Sequence, residues 1–327
     1  MKKKNELVLT DNRLYYKPFK YPQFYDAWLK HEQSHWLPQE VSMAEDIKDW
    51  KKLSTHEKNF LTNIFRFFTQ GDIDVAGGYV NNYLPIFPQP EVRMMLLGFA
   101  AREAVHIAAY SHLIETLGLP ESTYNDFLEY KEMKEKHDYV SQISNKGSSL
   151  SNTALQIAVF SGFTEGMQLF SSFIMLLNFP RHGKMKGMGQ IIKWSVVDET
   201  IHTESMIKLF RTFIEENPEI WNDDLKSKIY TAATKMVELE DKFIDLSFGI
   251  NDMENLTKDD VKEYIRYICD RRLIALGLKG IFKIKKNPLS WVEPMINAPI
   301  HGNFFENQVT DYAKGALKGS WADVWAV

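Results

Sequence analysis

Residues 153–178 read TALQIAVFSGFTEGMQLFSSFIMLLN, with one charged side chain among them, Glu165. A helix that is apolar nearly all round has no face to offer water, so it must lie inside a bundle of other helices. Its densest part, FSSFIMLLNF, is too short to span a bilayer. The acid at its centre sharpens the constraint, because a buried carboxylate without a partner costs several kcal/mol.

The rest of the chain can supply such a bundle. Helical periodicity dominates, and strand-like alternation is scarce. The pattern predicts a first amphipathic helix in YPQFYDAWLKHEQSHW. A long helix over 54–83 opens with the capping-box pair Ser54 and Glu57. Pro85, Pro88 and Pro90 break the chain, and the next helix covers 91–117. The charged stretch 121–136 reads as a peripheral helix. Pro180 should stop the apolar helix, and PRHGKMKGMG reads as a basic, glycine-rich turn. Further helices are expected over 189–216, 223–246 and 258–276. The expected fold is all-α, a helical domain over 1–300 followed by a flexible C-terminal tail, 301–327.

Composition narrows the function. A net charge of −4 on 327 residues gives no electrostatic reason to expect nucleic-acid binding. The single cysteine, Cys269, excludes an intrachain disulfide framework and a multi-cysteine metal site. The opening MKKKNELVLTDNR has no apolar run behind its basic start, so it is not a secretory signal. These features point to a soluble cytoplasmic protein that binds neither nucleic acid nor membrane.

Glu165 has company. Glu-x-x-His places two potential ligands on one helix face. It occurs as Glu103–His106 in REAVHIAAY and as Glu199–His202 in DETIHTES, both in largely apolar surroundings. Random placement of 24 glutamates and 9 histidines gives fewer than one such pair, whereas three occur. The third, Glu32–His35, lies in the polar stretch KHEQSHW and reads as a solvated face. Asp72 sits among aromatics in RFFTQGDIDVAGGY; Asp74 competes with it, but residues two apart cannot share a face, and Asp72 is favoured. An acid thus precedes a Glu-x-x-His pair twice, by 31 residues (Asp72 to Glu103) and by 34 (Glu165 to Glu199). Four carboxylates and two imidazoles form the ligand set of a ferritin-like dinuclear iron or manganese site. Zinc fits less well, since structural zinc prefers cysteine and four ligands. Tyr110, four residues after His106, falls on the same face.

Seven segments in order, HWLPQEV, FFTQGD, REAVHIAAYSHLIETLG, TEGMQLF, DETIH, CDRRLIALGL and NFFENQVTDY, resemble the small, radical-generating subunit of class I ribonucleotide reductase. The resemblance implies a ferritin-like bundle, usually a homodimer, with metal ligands at Asp72, Glu103, His106, Glu165, Glu199 and His202. It implies a tyrosyl radical at Tyr110 and an electron line Trp36–Asp198–His106 that continues to Tyr312 in the tail. The oxidising equivalent, drawn from oxygen or a reduced oxygen species, would pass to a separate large subunit that reduces ribonucleotides. Cys269 stands alone, so the chain should be inactive without that partner.

Some residues depart from the family pattern. Leu169, Phe173 and Ser195 predict a more polar, less shielded pocket for Tyr110, compatible with an oxidant kept on the metals instead. The tail ends in SWADVWAV, and Trp321, Trp325 and Val327 offer anchors for the large subunit. Two other readings make different predictions. A ferritin-like oxidase with a long-chain ligand needs neither Trp36 nor the tail, and a metal-free helical scaffold binds no stoichiometric metal.

Overall fold

The computed structural model describes residues 7–144, 147 and 149–297. They are helical without a strand among the described residues. Helix α1 spans Pro22–Gln33, α2 Ala44–Lys52, α3 Thr55–Gly77 and α4 Pro90–Thr116. A short α5 (Ser122–Asn125) precedes α6 (Lys131–Ser144). Then come α7 (Leu150–Ile157), α8 (Leu169–Arg181), α9 (Lys186–Glu216), α10 (Asp223–Phe248), α11 (Lys258–Ala275) and α12 (Val292–Asn297). A π-helical turn, Gly78–Tyr83, extends α3, and a π-helical segment, Ala158–Gln168, joins α7 to α8.

Local chemistry sets the helix ends. Ser54 Oγ accepts the Glu57 N–H at 3.2 Å while Glu57 accepts the Ser54 N–H at 2.8 Å, so α3 starts with a reciprocal cap. Thr257 and Asp260 cap α11 reciprocally in the same way, whereas Asn222 caps α10 only by accepting the Leu225 N–H through its side-chain oxygen. Pro90 occupies the first turn of α4, where a missing N–H costs nothing. The start of α9 is held from another helix. Asp46 of α2 accepts N–H groups of Gly187 and Met188 at 2.8 and 2.7 Å, taking up donors that the first turn leaves free.

Three boundaries differ from the sequence expectation. Helix α9 begins at Lys186 inside the expected turn, because Asp46 supplies a cap from 141 residues away. Pro180 lies inside the last turn of α8, which runs to Arg181 before Gly183 takes a positive φ. A Cβ on Gly189 would lie 2.7 Å from the Pro180 ring, so the proline packs against α9 instead of stopping the helix early. The stretch 121–136 is not one peripheral helix. It splits at Tyr130, and Lys136 turns inward between Phe67 and Phe243 to pair with Glu240 at 2.7 Å.

Helices α3, α4 and α9 and the π-helical segment surround the site, with α1 laid over α4 and α9. Phe60, Phe65, Phe99, Phe163, Phe173 and Phe210 are buried between these layers. Each contributes about 1.5–3 kcal/mol through its burial. The apolar stretch 153–178 does run through the interior: residues 153–163 and 165–178 are buried, and Thr164 is half-buried.

Candidate metal centre

Four structural elements deliver six ligand-type side chains to one point. Helix α3 brings Asp72, α4 brings Glu103 and His106, the π-helical segment brings Glu165, and α9 brings Glu199 and His202. All six are buried. They fall into two overlapping groups: Asp72, Glu103 and His106 in one, and Glu103, Glu165, Glu199 and His202 in the other. Within each group one ligand atom per residue lies within 4.8 Å of all the others, and Glu103 belongs to both.

Both histidines turn Nδ1 inward. His106 Nδ1 is 3.2 Å from Glu103 Oε2 and 3.3 Å from Glu199 Oε1. His202 Nδ1 is 3.2 Å from Glu103 Oε1, and 3.5 Å from both Glu165 Oε1 and Glu199 Oε2. Yet Asp72 Oδ2, Glu103 Oε1, both Glu199 oxygens and His202 Nδ1 have no properly aligned hydrogen bond. Buried acceptors are normally satisfied, so these converge on something other than each other. Two divalent cations would satisfy them and offset four buried carboxylates; the donor set, oxygen-rich with imidazole and no thiolate, suits iron or manganese. The residues fit the group.

Electrostatics agree. Burial first, then the charge of Glu103, raises the pKa of Asp72 well above the usual carboxylate range. Burial likewise raises Glu165, against the pull of His202. Burial opposes protonation of His106 and His202, but the carboxylates, led by Glu103 for the first and Glu199 for the second, hold both well above the usual imidazole range.

Around the six lies a layer of hydrogen-bonded partners. Tyr79 donates its hydroxyl to Glu165 Oε1 at 2.6 Å. His106 Nε2 meets Asp198 Oδ2 at 3.2 Å, and Trp36 Nε1 donates to the same oxygen at 2.8 Å. The other oxygen, Oδ1, accepts from Arg102 at 2.7 Å and from Ser34 at 3.3 Å. Burial disfavours the charge on Asp198, but His106 and Arg102 hold its carboxyl well below the usual range. His202 Nε2 faces His31 Nε2 at 3.1 Å. Burial, then the charges of His202 and Arg102, push His31 down to about 2, so it is neutral.

The sequence profile described as "Ribonucleotide reductase, small chain" matches residues 13–288. The probable ribonucleoside-diphosphate reductase small subunit of Invertebrate iridescent virus 6 is 53% identical, over 98% of this chain and 99% of its own. This chain belongs to the ribonucleotide reductase small-chain family. Solved structures share the fold at lower identity. A ribonucleotide reductase R2 subunit from Clostridium botulinum superposes with a TM-score of 0.82 at 24% identity, covering 88% of this chain and 92% of that one. The dimanganese(II)-NrdF of Streptococcus sanguinis gives 0.74 at 21%, covering 88% and 98%. The ferritin-like architecture follows for this small chain.

The structure gathers every expected ligand residue of the small chain at one site. Asp74 goes elsewhere, its carboxylate bonding His137 Nδ1 at 2.6 Å. Glu32 and His35 are exposed. Tyr110 is buried and donates to Ser195 Oγ at 3.0 Å, while Ser195 donates to the Ile191 carbonyl at 3.1 Å. Its ring stacks on Phe68 with centroids 4.4 Å apart, and Phe173 backs Phe68. The pocket therefore has the expected polar contact at Ser195, but Phe68 supplies aromatic cover that counting from Glu165 did not anticipate. Trp36 is buried, stacks on His106 and touches half-buried Trp194 at 5.2 Å between centroids. Tyr312, Trp321, Trp325 and Val327 lie outside the described residues.

Sequence reasoning missed His31, Arg102, Tyr79 and Trp194. His31 hid in a polar stretch beside a pair rightly left to solvent. Arg102 immediately precedes a ligand, as Asp198 does, and that shared position was the one available signal.

Proposed function

We propose that Asp72, Glu103, His106, Glu165, Glu199 and His202 hold two transition-metal ions, iron or manganese, with Glu103 shared between them. Family membership makes this chain the small subunit of a ribonucleoside-diphosphate reductase, an oxidoreductase that works with a large subunit. The observation that carries the metal assignment is the set of buried, unsatisfied oxygens converging from both halves. A manganese pair is named for a structural relative. When bound, the ions would supply one-electron oxidising power drawn from oxygen or a reduced oxygen species.

The remaining roles belong to the chain's own side chains. Tyr110 is the phenol closest along the face of His106, with ring centroids 6.3 Å apart. Burial keeps it protonated, and Ser195 holds its hydroxyl hydrogen. Trp36 and Asp198 form the outward line. When the indole gives up an electron, its Nε1 hydrogen has an acceptor 2.8 Å away on Asp198. Arg102 and His106 keep that carboxylate ionised and oriented. Tyr312 and the tail 301–327 continue the route into the large subunit, beyond the domain 1–300. Cys269 takes no part: it is buried, and burial pushes its thiol up to about 12.

The homodimer is proposed from the family resemblance alone. No helix among the described residues is long and apolar enough to cross a membrane, and we place the protein in the cytoplasm.

The test is low-temperature EPR on protein loaded with Fe(II) or Mn(II) and exposed to oxygen or superoxide, with metal assayed on the same samples. A narrow organic signal lost in Tyr110→Phe places the oxidant on Tyr110, and a metal-coupled signal surviving in that variant places it on the metals. Absence of bound metal under every loading condition overturns the reading.

A further inference from the structure

His31 lies on α1, outside all four ligand-bearing elements, and is completely buried. Its ring lies 4.9 Å from that of His202 between centroids, and the two Nε2 atoms are 3.1 Å apart. Phe99 packs against both rings, at 5.0 Å from His31 and 4.3 Å from His202. The backbone of His31 is fixed independently. Its carbonyl accepts from Ser34 Oγ at 2.7 Å and from Arg102 Nη2 at 3.2 Å.

Two imidazole nitrogens at this separation share one hydrogen, so one ring donates and the other accepts. Which does which follows from the far side of His202. There Nδ1 faces oxygens of Glu103, Glu165 and Glu199 at 3.2, 3.5 and 3.5 Å. With a cation among those oxygens, Nδ1 gives up its lone pair and the ring hydrogen resides on Nε2. His31 Nε2 is then the acceptor, and its own hydrogen sits on Nδ1. A neutral acceptor orients the ring without adding another negative charge beside the carboxylates already there.

Resting on the metal-site reading above, we propose that His31 is the positioning residue of the α9 half of the site. It accepts the Nε2–H of His202 and so keeps that ring's Nδ1 turned toward Glu103, Glu165 and Glu199. Through its carbonyl and Arg102, the same residue is tied to Asp198. One residue of α1 therefore braces the histidine of one half against the hydrogen-bonded line of the other.

Two variants of the full chain test this: His31→Leu deletes the acceptor, and His31→Gln restores an acceptor oxygen on a side chain of similar reach. Mn(II) uptake is measured by equilibrium dialysis, the bound pair by EPR, and folding by circular dichroism. Wild type takes two ions. His31→Leu keeps one and holds the other about 10- to 100-fold more weakly, and His31→Gln recovers most of the loss. His31→Leu binding both ions at wild-type affinity overturns the proposal, as does a His31→Gln no better than His31→Leu. A second measurement needs no variant: 15N NMR of histidine-labelled, Zn(II)-loaded wild type should show hydrogen on Nε2 of His202 and none on Nε2 of His31. The reverse assignment also overturns it. A wild type that takes up no metal overturns the metal-site reading itself, and this inference with it.

Discussion

In the half of the site built by α3 and α4, His106 turns its outer nitrogen to an ionised carboxylate, Asp198. In the half built by the π-helical segment and α9, His202 turns its outer nitrogen to a neutral imidazole, His31. The inward faces match: each half offers an acid, then Glu-x-x-His, with both Nδ1 atoms pointing to the centre. The difference therefore lies in the anchors. Asp198 also accepts from Trp36, a redox-capable indole, whereas His31 packs against Phe99, an inert ring. On the proposed reading both halves hold metal, and only the half anchored on Asp198 also has an outlet for charge.

The largest break in that comparison comes from the residue both halves share. Glu103→Ala should remove stoichiometric binding of both ions, read by metal assay after dialysis; loss of one ion alone would show that the halves are independent. Asp198→Asn should separate the halves by function. Metal loading and the EPR signal persist, while turnover with the large subunit falls about 100-fold, in the upper range for loss of a ligand's hydrogen-bond partner.

Acid should act on both halves alike. His106 and His202 have raised pKa values and so have Asp72 and Glu165, so metal binding to the metal-free chain must displace protons. Affinity therefore rises with pH, by up to about tenfold per unit for each proton released. Calorimetry in buffers of different ionisation heat would read the protons directly. The smallest expected effect is Tyr79→Phe, which removes the hydrogen bond to Glu165 and should lower stability by about 0.5–1.5 kcal/mol in chemical denaturation, leaving the α3–α4 half unchanged.

Both halves were legible in the sequence because their ligands violate a helix pattern: acids and imidazoles at positions that should be apolar. The caps of α3 were legible for the same local reason, in Ser54 and Glu57. The anchors were not. His31 occupies a stretch where polar residues are normal, and only the docking of α1 on α4 and α9 makes it a buried group. The start of α9 depended on Asp46, a cap remote in sequence. The π-helical register of Ala158–Gln168 was invisible too, since apolar residues of that kind serve an α-helix equally well. Close packing helps to hold it there: a Cβ on Gly166 would lie 2.7 Å from Thr203 and 2.9 Å from Arg272.

The hydroxyl chain at Tyr110 ends after two links. Tyr110 gives its hydrogen to Ser195, and Ser195 gives its own to the Ile191 carbonyl, an oxygen that cannot pass a proton on. Both residues are buried, and Phe68 covers the Tyr110 ring. Among the described residues no further side chain continues the chain, and in D₂O the phenolic hydrogen should exchange slowly. An isotope placed there would stay until Tyr110 itself is oxidised and gives the hydrogen up, so its release would mark that oxidation on a single oxygen.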